Sequence, residues 1–299
     1  MKNKSSAFSL IELSIVILII GVLVAGVTQA SRLVRQSKLT TARTLTQSSG
    51  VNSIRGLILW LEPTMESSFK STETSDASSL SNWYDINPQV SLRNTFSNSS
   101  ATILYKASAT NSLPAVYFNN VNTAFTGTII DAPYNAYTIF YVARPTSLAS
   151  TGFIFYNGTQ GTNGIGVSLS TGGLTTFSYG ASLSSVGSLA STANQVSADI
   201  VCITTAPNSL LGVAVTTPAI LSYKNGVSNT MTAATTTAAS WVTPTGSLYI
   251  GNATSAGTTT DFVGEISEII IFDNVLKKTD RQEVEKYLSR KYGIAVTQS

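Results

Sequence analysis

Acidic side chains at two places in this chain have the type and the setting to do chemistry. Glu12 lies near the start of an apolar run, residues 8–27, where an unpaired carboxylate costs on the order of 3 kcal/mol at mid-bilayer depth. Glu265 and Glu268 stand three residues apart in an isoleucine-rich run. Two carboxylates can hydrolyse a glycosidic bond only when they face one cleft, and residues three apart on a strand without a bulge point to opposite faces. We therefore predict no catalytic residue in this chain.

The composition removes most other catalytic and metal chemistry. The 299 residues contain no histidine and one cysteine, which excludes Ser-His-Asp triads, Cys-His dyads, histidine-ligated metals and an intrachain disulfide. Calcium needs six to eight oxygen ligands, and Asp85, Asn87, Asp131 and Asp261 lie near predicted loops without the spacing of a calcium loop. We predict turn and capping roles for these four residues and no cofactor, with calcium as the open alternative.

The remaining unusual side chains favour a structural role. Cys202 lies in an apolar run and is interpreted as a buried strand residue, and Trp60 is assigned to the core. Trp83 and Trp241 could pack in the core or stack on sugar rings, with the core favoured.

Charge is uneven along the chain. Residues 1–55 hold seven cations and one acid, residues 56–276 hold five cations and eleven acids, and residues 277–299 hold six cations and three acids. Binding of nucleic acid needs cations clustered on the folded domain. The central part is acidic, so we predict no nucleic-acid partner.

The N-terminal segment is predicted to be a long membrane helix. The twenty residues 8–27 would span about 30 Å as a helix, the hydrocarbon thickness of a bilayer. Lys2 and Lys4 precede the run and favour a cytoplasmic N-terminus, which places the rest of the chain outside the inner membrane. After residue 27 the next glycine is Gly50, so one helix could continue to about Ser48.

A secretory signal peptide is the competing interpretation of this segment. Residues 13–27 could serve as its apolar region, and Thr28-Gln29-Ala30 would be a passable cleavage site. A signal peptide that is removed gains nothing from the unfavourable free energy of placing Glu12 in the bilayer. In addition, no turn residue ends the apolar run. Both observations favour a retained helix.

Lys2, Lys4, Ala7, the run Phe8-Ser9-Leu10-Ile11-Glu12-Leu13 and the apolar stretch after it resemble the start of a type IV prepilin or pseudopilin. The resemblance implies a leader of residues 1–7, cleavage between Ala7 and Phe8 by a prepilin peptidase, and N-methylation of Phe8. It also implies that Glu12 pairs with the terminal amine of a neighbouring pilin subunit during assembly. Ala7 departs from the family, which usually has glycine there, and this puts efficient processing in doubt.

Most of the chain is predicted to form one large β domain with loops at 66–81, 181–198 and 228–240. Asn225-Gly226 after an apolar run predicts a two-residue hairpin turn. Short apolar or alternating runs predict eleven strands, at 56–61, 115–119, 138–143, 153–156, 164–170, 175–180, 200–204, 212–216, 220–224, 247–251 and 264–272.

A single helix is predicted near the C-terminus. Thr279-Asp280-Arg281-Gln282 matches a capping box. Val284, Tyr287 and Leu288 form an apolar stripe, which predicts that the helix packs on the sheet. Gly293 is predicted to end it.

The order of several motifs resembles laminin-G-like, concanavalin A-like jelly rolls, most specifically Phe262-Val263-Gly264-Glu265-Ile266-Ser267-Glu268-Ile269-Ile270-Ile271-Phe272-Asp273 and the helix that follows it. The resemblance implies a mainly β fold, an antiparallel sandwich with a C-terminal helix, added to the long N-terminal helix. The predicted divisions are the leader at 1–7, the assembly helix at 8–52, the jelly roll at 53–294 and a tail at 295–299. Glycoside hydrolases of this fold carry Glu-x-Asp-x-x-Glu or Glu-x-Asp-x-Glu, and this sequence lacks the central Asp.

We predict a minor pilin or pseudopilin that displays the jelly roll for adhesion or binding on a type IV pilus-like or type II secretion-like filament. A domain this large is awkward to repeat along a thin filament, which favours a minor subunit. The predicted location is the bacterial inner membrane as a single-pass protein and then the cell surface, with a glycan or surface protein as ligand. The alternatives are a secreted or anchored lectin-like protein without a filament role and, ranked below it, a glycoside hydrolase.

Overall fold

A computed structural model describes residues 10–98, 102–119, 124–129, 136–159, 163–179, 187–206, 219–233, 246–254 and 260–298. Its first element is a single helix, α1, Leu10–Gln47. This confirms the predicted continuation of the helix beyond the apolar run, to within one residue of Ser48. Phe8 and Ser9 lie outside the described residues.

The described strands form two antiparallel sheets, called sheet A and sheet B. Sheet A contains β1 Leu57–Leu61, β4 Leu104–Lys106, β5 Ala115–Asn119, β7 Tyr137–Pro145, β12 Asp199–Ala206, β13 Ala219–Lys224, β14 Val227–Asn229 and β17 Val263–Phe272. Sheet B contains β2 Asn82–Tyr84, β3 Thr95–Ser97, β6 Phe125–Gly127, β8 Gly152–Thr159, β9 Asn163–Leu169, β10 Leu174–Tyr179, β11 Gly187–Asn194, β15 Met231–Ala233 and β16 Leu248–Ile250. The predicted antiparallel sandwich is confirmed.

Every predicted strand that falls on described residues overlaps a strand of the structure, with ends that agree to within a few residues. The predicted strand at 212–216 lies outside the described residues. The long loop predicted at 181–198 is wrong where β11 pairs with β10, and the one at 228–240 is wrong where β15 pairs with β11. These segments are rich in Ser, Thr and Ala and lack alternation, so neighbouring strands rather than local pattern make them extended.

Two apolar cores separate three layers. The first fills the space between the sheets and includes Trp83, Phe96, Phe125, Ile266 and Ile269. The second lies on the opposite face of sheet A, beneath the helices, and includes Trp60, Cys202 and Ile270. Both cores are anchored by β17, whose side chains alternate between them. Trp60, Trp83 and Cys202 are therefore buried as predicted, while Trp241 lies outside the described residues.

Helix α2, Lys278–Tyr292, covers sheet A next to the C-terminal part of α1. Val284, Tyr287 and Leu288 are buried as predicted. The predicted capping box is wrong, because the N-cap is Lys277, two residues before Thr279, and it makes no side-chain capping bond. Gly293 ends the helix in the left-handed region at φ 66°, as predicted.

The Asn225-Gly226 hairpin is confirmed. Both residues have positive φ, 51° and 78°, and Lys224 pairs with Val227 across the turn between β13 and β14. The chain segment after α2 packs on this turn, with the Thr297 N–H donating to the Asn225 carbonyl at 2.9 Å.

Candidate assembly helix and its junction with the sandwich

The first part of α1, residues 10–37, is exposed along its whole length. Among the described residues it belongs to the one helix that is long and apolar enough to cross a membrane. Its hydroxyls bond within the helix: Ser14 donates to the Ile11 carbonyl and Thr28 to the Ala25 carbonyl, each at 2.9 Å. Hydroxyls paired in this way cost little in an apolar surrounding.

Glu12 lies in the first turn of α1 and is exposed on this projecting part. Ala7 and Phe8, the predicted cleavage and methylation residues, lie outside the described residues. Cleavage, methylation and the assembly role of Glu12 therefore stay predictions.

The last third of α1 is fixed to the sandwich by one face. Ala42 and Thr46 are each 2% exposed, and Arg43 between them reaches the loop after β1. The Arg43 guanidinium donates to the Thr64 carbonyl at 2.8 Å and pairs with Glu66 at 2.6 Å. One turn earlier, Lys38 donates to the Asn111 amide oxygen at 3.1 Å. The helix therefore has an anchored end and a projecting end.

A buried cation lies at the centre of the anchored end. Lys291 of α2 is 2% exposed, and its ammonium group donates to Glu62 at 2.7 Å, to Glu268 at 2.9 Å and to the Thr46 hydroxyl at 2.9 Å. These acceptors come from the end of β1, from β17 and from α1, so one ammonium group joins three elements. We call Lys291, Glu62, Glu268, Thr46, Tyr287 and Tyr292 the junction network.

Both junction carboxylates accept several hydrogen bonds. Glu268 accepts from Trp60 at 2.7 Å, from the Tyr287 and Tyr292 hydroxyls at 2.8 Å each, and from Lys291. Glu62 accepts from the Thr64 N–H at 2.9 Å, the Thr64 hydroxyl at 2.6 Å, the Met65 N–H at 2.7 Å and Lys291. Both oxygens of each carboxylate therefore accept at least one hydrogen bond.

Burial and charge oppose each other in this network. Burial raises the pKa of Glu268 above its ordinary value, and the attraction of Lys291 does not cancel the effect. Burial alone would lower the pKa of Lys291, but Glu268 and Glu62 outweigh it and raise the pKa. Burial also raises the pKa values of Tyr287 and Tyr292 well above their ordinary value, and the adjacent carboxylates add to that rise.

Sequence reasoning missed this network. Lys291 stands in the last turn of α2, where a cation ordinarily complements the helix dipole at the surface, yet the structure buries Lys291 and exposes Arg290. The available signal was periodicity, because residue 291 follows Val284, Tyr287 and Leu288 at helical spacing on the apolar face. Glu62 and Glu268 come from distant segments and gave no local signal.

The expectation that Glu265 and Glu268 point to opposite faces is wrong. The pairing of β17 with β7 shifts register between Ile266 and Glu268, and this bulge turns both carboxylates to the face of sheet A opposite the sandwich interior. They nevertheless engage separate cations. Glu265 is buried against Arg144, at 2.7 Å, and Lys106, whereas Glu268 belongs to the junction network. Arg144 and Lys106 hold the pKa of Glu265 below its ordinary value against the raising effect of burial.

The candidate calcium ligands have structural partners. Asp85 accepts the N–H groups of Trp60 and Asn87, each at 2.9 Å, and burial raises its pKa to about 6. Asn87 donates to the Leu57 carbonyl at 2.7 Å, while Asp261 accepts from Asn252 at 2.5 Å. Asp131 lies outside the described residues. Within the described part of the chain, no three His, Cys, Asp or Glu side chains are grouped so that they could hold a metal.

Residues 2–28 match the family model of the prokaryotic N-terminal methylation motif. The matched range contains Ala7, Phe8, Glu12 and the apolar run. The chain thus has a type IV prepilin-like N-terminus joined through α1 to an antiparallel β-sandwich. No curated protein matches it significantly in sequence.

Solved structures with a similar arrangement are distant. A Trypanosoma rangeli sialidase in complex with 2,3-difluoro-KDN has 15% identity and a TM-score of 0.49, covering 82% of this chain and 34% of that chain. The botulinum neurotoxin serotype D binding domain has 12% identity and a TM-score of 0.49, covering 80% of this chain and 52% of that one. The chain spans about a third to a half of the length of these proteins.

Proposed function

We propose that this protein is a structural subunit of a type IV pilus-like or type II secretion-like filament, as a minor pilin or pseudopilin that displays its sandwich for adhesion or binding. The observation that carries the proposal is the methylation motif on a helix whose residues 10–37 are exposed. The apolar run at the start of this helix is exposed on all sides, so it needs a bilayer or other helices to cover it. The inner membrane covers it first, and neighbouring subunits cover it after assembly.

The anchored end of α1 supports the same function. A subunit pulled out of a membrane and packed into a filament must transmit force from its helix to its displayed domain. The junction network and the Arg43 contacts tie the helix to β1, β17 and α2 at once. We infer that the sandwich moves with its helix as one body during assembly.

The N-terminus of the native chain tests the proposal directly. Intact mass and N-terminal sequencing of membrane and sheared surface material should show a chain that begins at Phe8, with one additional methyl group. A chain that begins at Ser31 would make the segment an export signal and favour the secreted lectin-like alternative. A chain that still begins at Met1 would show that Ala7 does not permit cleavage.

The assembly role of Glu12 has a separate test. Glu12→Ala should leave the protein stable in the membrane but remove it from sheared filaments, because the terminal amine of the neighbouring subunit loses its partner. Glu12→Gln, which keeps the shape without the charge, should behave like Glu12→Ala. Unchanged incorporation of both variants would refute the role assigned to Glu12.

A further inference from the structure

The four cations of α1 fall into two groups. Lys38 and Arg43 bind acceptors of the sandwich, Asn111 for the first and Thr64 and Glu66 for the second. Arg32 and Arg35 make no hydrogen bond or ion pair with the described part of the chain. Within the described part of the chain, these two guanidinium groups therefore have no acceptor, and they lie one helical turn apart on one side of the helix.

The two arginines face a recess between the helix and the sandwich. The recess has a volume of 620 Å³ and is lined by Ser31, Arg32, Val34 and Arg35 of α1 and by Ser108 and Ser112 of the loop before β5. None of these lining residues is acidic. Asp76, which accepts the neighbouring Ala107 N–H at 2.8 Å, makes no ion pair with either arginine among the described residues. The Ser31 hydroxyl donates to the Thr28 carbonyl at 2.9 Å, which leaves the hydroxyls of Ser108 and Ser112. Two guanidinium groups and these two hydroxyls around an open recess match the charge and donor needs of a phosphate group.

The position of the recess along α1 points to the source of that phosphate. Arg32 and Arg35 follow the end of the apolar run at residue 27 by five and eight residues, which is about 8 and 12 Å along a helix. The polar layer of a bilayer extends roughly 5–8 Å beyond the hydrocarbon on each side. Helical side chains lean towards the N-terminus, so both guanidinium groups reach back towards this layer.

We propose that Arg32, Arg35, Ser108 and Ser112 form a binding site for the phosphate of an anionic phospholipid. The site seats the sandwich on the membrane surface while the subunit is anchored there. The inference rests on the proposed function only in requiring that the apolar run lies in a bilayer. A free phosphate would offer the same oxygens, but it is not concentrated at the level of the lipid headgroups. The position of the site therefore favours a lipid phosphate.

Native mass spectrometry of the full chain in detergent tests the site. Palmitoyl-oleoyl phosphatidylglycerol and phosphatidylcholine are added at equal concentration, and the retained lipid is counted. The wild-type chain should retain phosphatidylglycerol in preference. Each arginine near a membrane surface adds about fivefold to the binding of anionic lipid, so Arg32→Gln with Arg35→Gln should lower retention by roughly 25-fold.

The matched control removes two cations elsewhere. Lys277 and Lys278 are exposed neighbours at the end of α2 that lies beside Gly50, far along α1 from the apolar run. Lys277→Gln with Lys278→Gln makes the same change in net charge and should leave retention at the wild-type level. An equal loss in this control would mean that net charge, not a site, attracts the lipid, and would overturn the proposal.

Three other outcomes would also overturn it. Equal retention of the two lipids by the wild-type chain would leave no anionic preference to explain. Displacement of phosphatidylglycerol by millimolar inorganic phosphate would assign the site to free phosphate. Normal retention by the arginine double variant with loss from filaments would assign the arginines to a contact between subunits. A different result would contradict the proposed function. In that case the wild-type chain would be absent from the membrane fraction before detergent is added.

Discussion

Lys291 is the single residue on which the junction network depends. Its ammonium group is the cation that directly contacts both Glu62 and Glu268, and all three side chains are fully buried. Replacing it by methionine keeps the stem but leaves two carboxylates in an apolar site without their counter-ion. We expect Lys291→Met to lower the free energy of unfolding by about 3–5 kcal/mol, measured by urea denaturation of the full chain in detergent.

Lys286 provides the control for this prediction. It lies on the exposed face of the same helix, so Lys286→Met should change the free energy of unfolding by less than about 0.5 kcal/mol. If the two variants were equally stable, the network would contribute nothing to the free energy of unfolding. Some buried ion pairs behave in that way.

The junction should also make the protein sensitive to alkali. Lys291, Tyr287 and Tyr292 have raised pKa values in the folded state, so above about pH 10 the unfolded chain releases protons that the folded chain retains. Their stabilising effect is complete below the unfolded pKa values and is lost as the pH rises towards the folded ones. Between the unfolded and the folded pKa, each such group lowers the free energy of unfolding by about 1.4 kcal/mol per pH unit.

Tyr292→Phe tests the alkaline prediction one group at a time. The variant lacks the hydroxyl that donates to Glu268 at 2.8 Å. Its free energy of unfolding should therefore fall less steeply with pH than that of the wild type, by the contribution of one titrating group. Tyr249→Phe, on the half-buried outer face of sheet B, is the control and should keep the wild-type slope. Urea unfolding at pH 8 to 11 measures both, and parallel slopes for the wild type and Tyr292→Phe would contradict the prediction.

At the scale of elements, α1 is held by few side chains, and Thr46 is the one that enters the junction network. Its hydroxyl accepts from Lys291 and donates to the Ala42 carbonyl at 3.0 Å. Thr46→Ala should speed amide hydrogen exchange in residues 38–47, because Lys291 loses a buried acceptor. The free energy of local opening should fall by about 1–3 kcal/mol. Thr44 is exposed, and among the described residues its hydroxyl donates only to the Thr40 carbonyl, at 3.1 Å, so Thr44→Ala should leave exchange unchanged.

The position of strand β17 was predicted correctly from the sequence, but the faces on which Glu265 and Glu268 lie were not. The isoleucine-rich run at 264–272 predicted the strand to within one residue. Strict alternation then assigned Glu265 and Glu268 to opposite faces. A bulge changes that alternation, and bulges arise from pairing with a partner strand, here β7, which is distant in sequence.

At the scale of the whole molecule, the projecting and anchored parts of α1 should separate by truncation. Residues 10–37 are exposed, so deleting residues 1–37 should give a soluble sandwich with an unchanged free energy of unfolding. Deleting residues 1–47 also removes the buried Ala42 and Thr46 and should cost about 2–4 kcal/mol. Urea unfolding of both truncated proteins measures the difference, and equal stability would show that α1 is not anchored by these contacts.

The sequence by itself determined the parts of this protein that depend on local pattern. The apolar run with Glu12, the strands with strong alternation, the Asn225-Gly226 turn and the stop at Gly293 all follow from side-chain chemistry over a few residues. The match of residues 2–28 to the methylation motif is local in the same sense. A short segment is enough because neighbouring residues set backbone preference and the preference for an apolar environment.

Only the tertiary structure decided where charge is buried. Glu62, Glu268, Lys291 and Thr46 come from four segments, and each alone has the composition of an ordinary surface position. A buried charge is tolerable only when its partners are present, and those partners meet only once the sandwich has folded and both helices lie on sheet A. Arg32 and Arg35 likewise have no ion-pair partner among the described residues because of which acceptors the fold brings near α1, and not because of the arginines themselves.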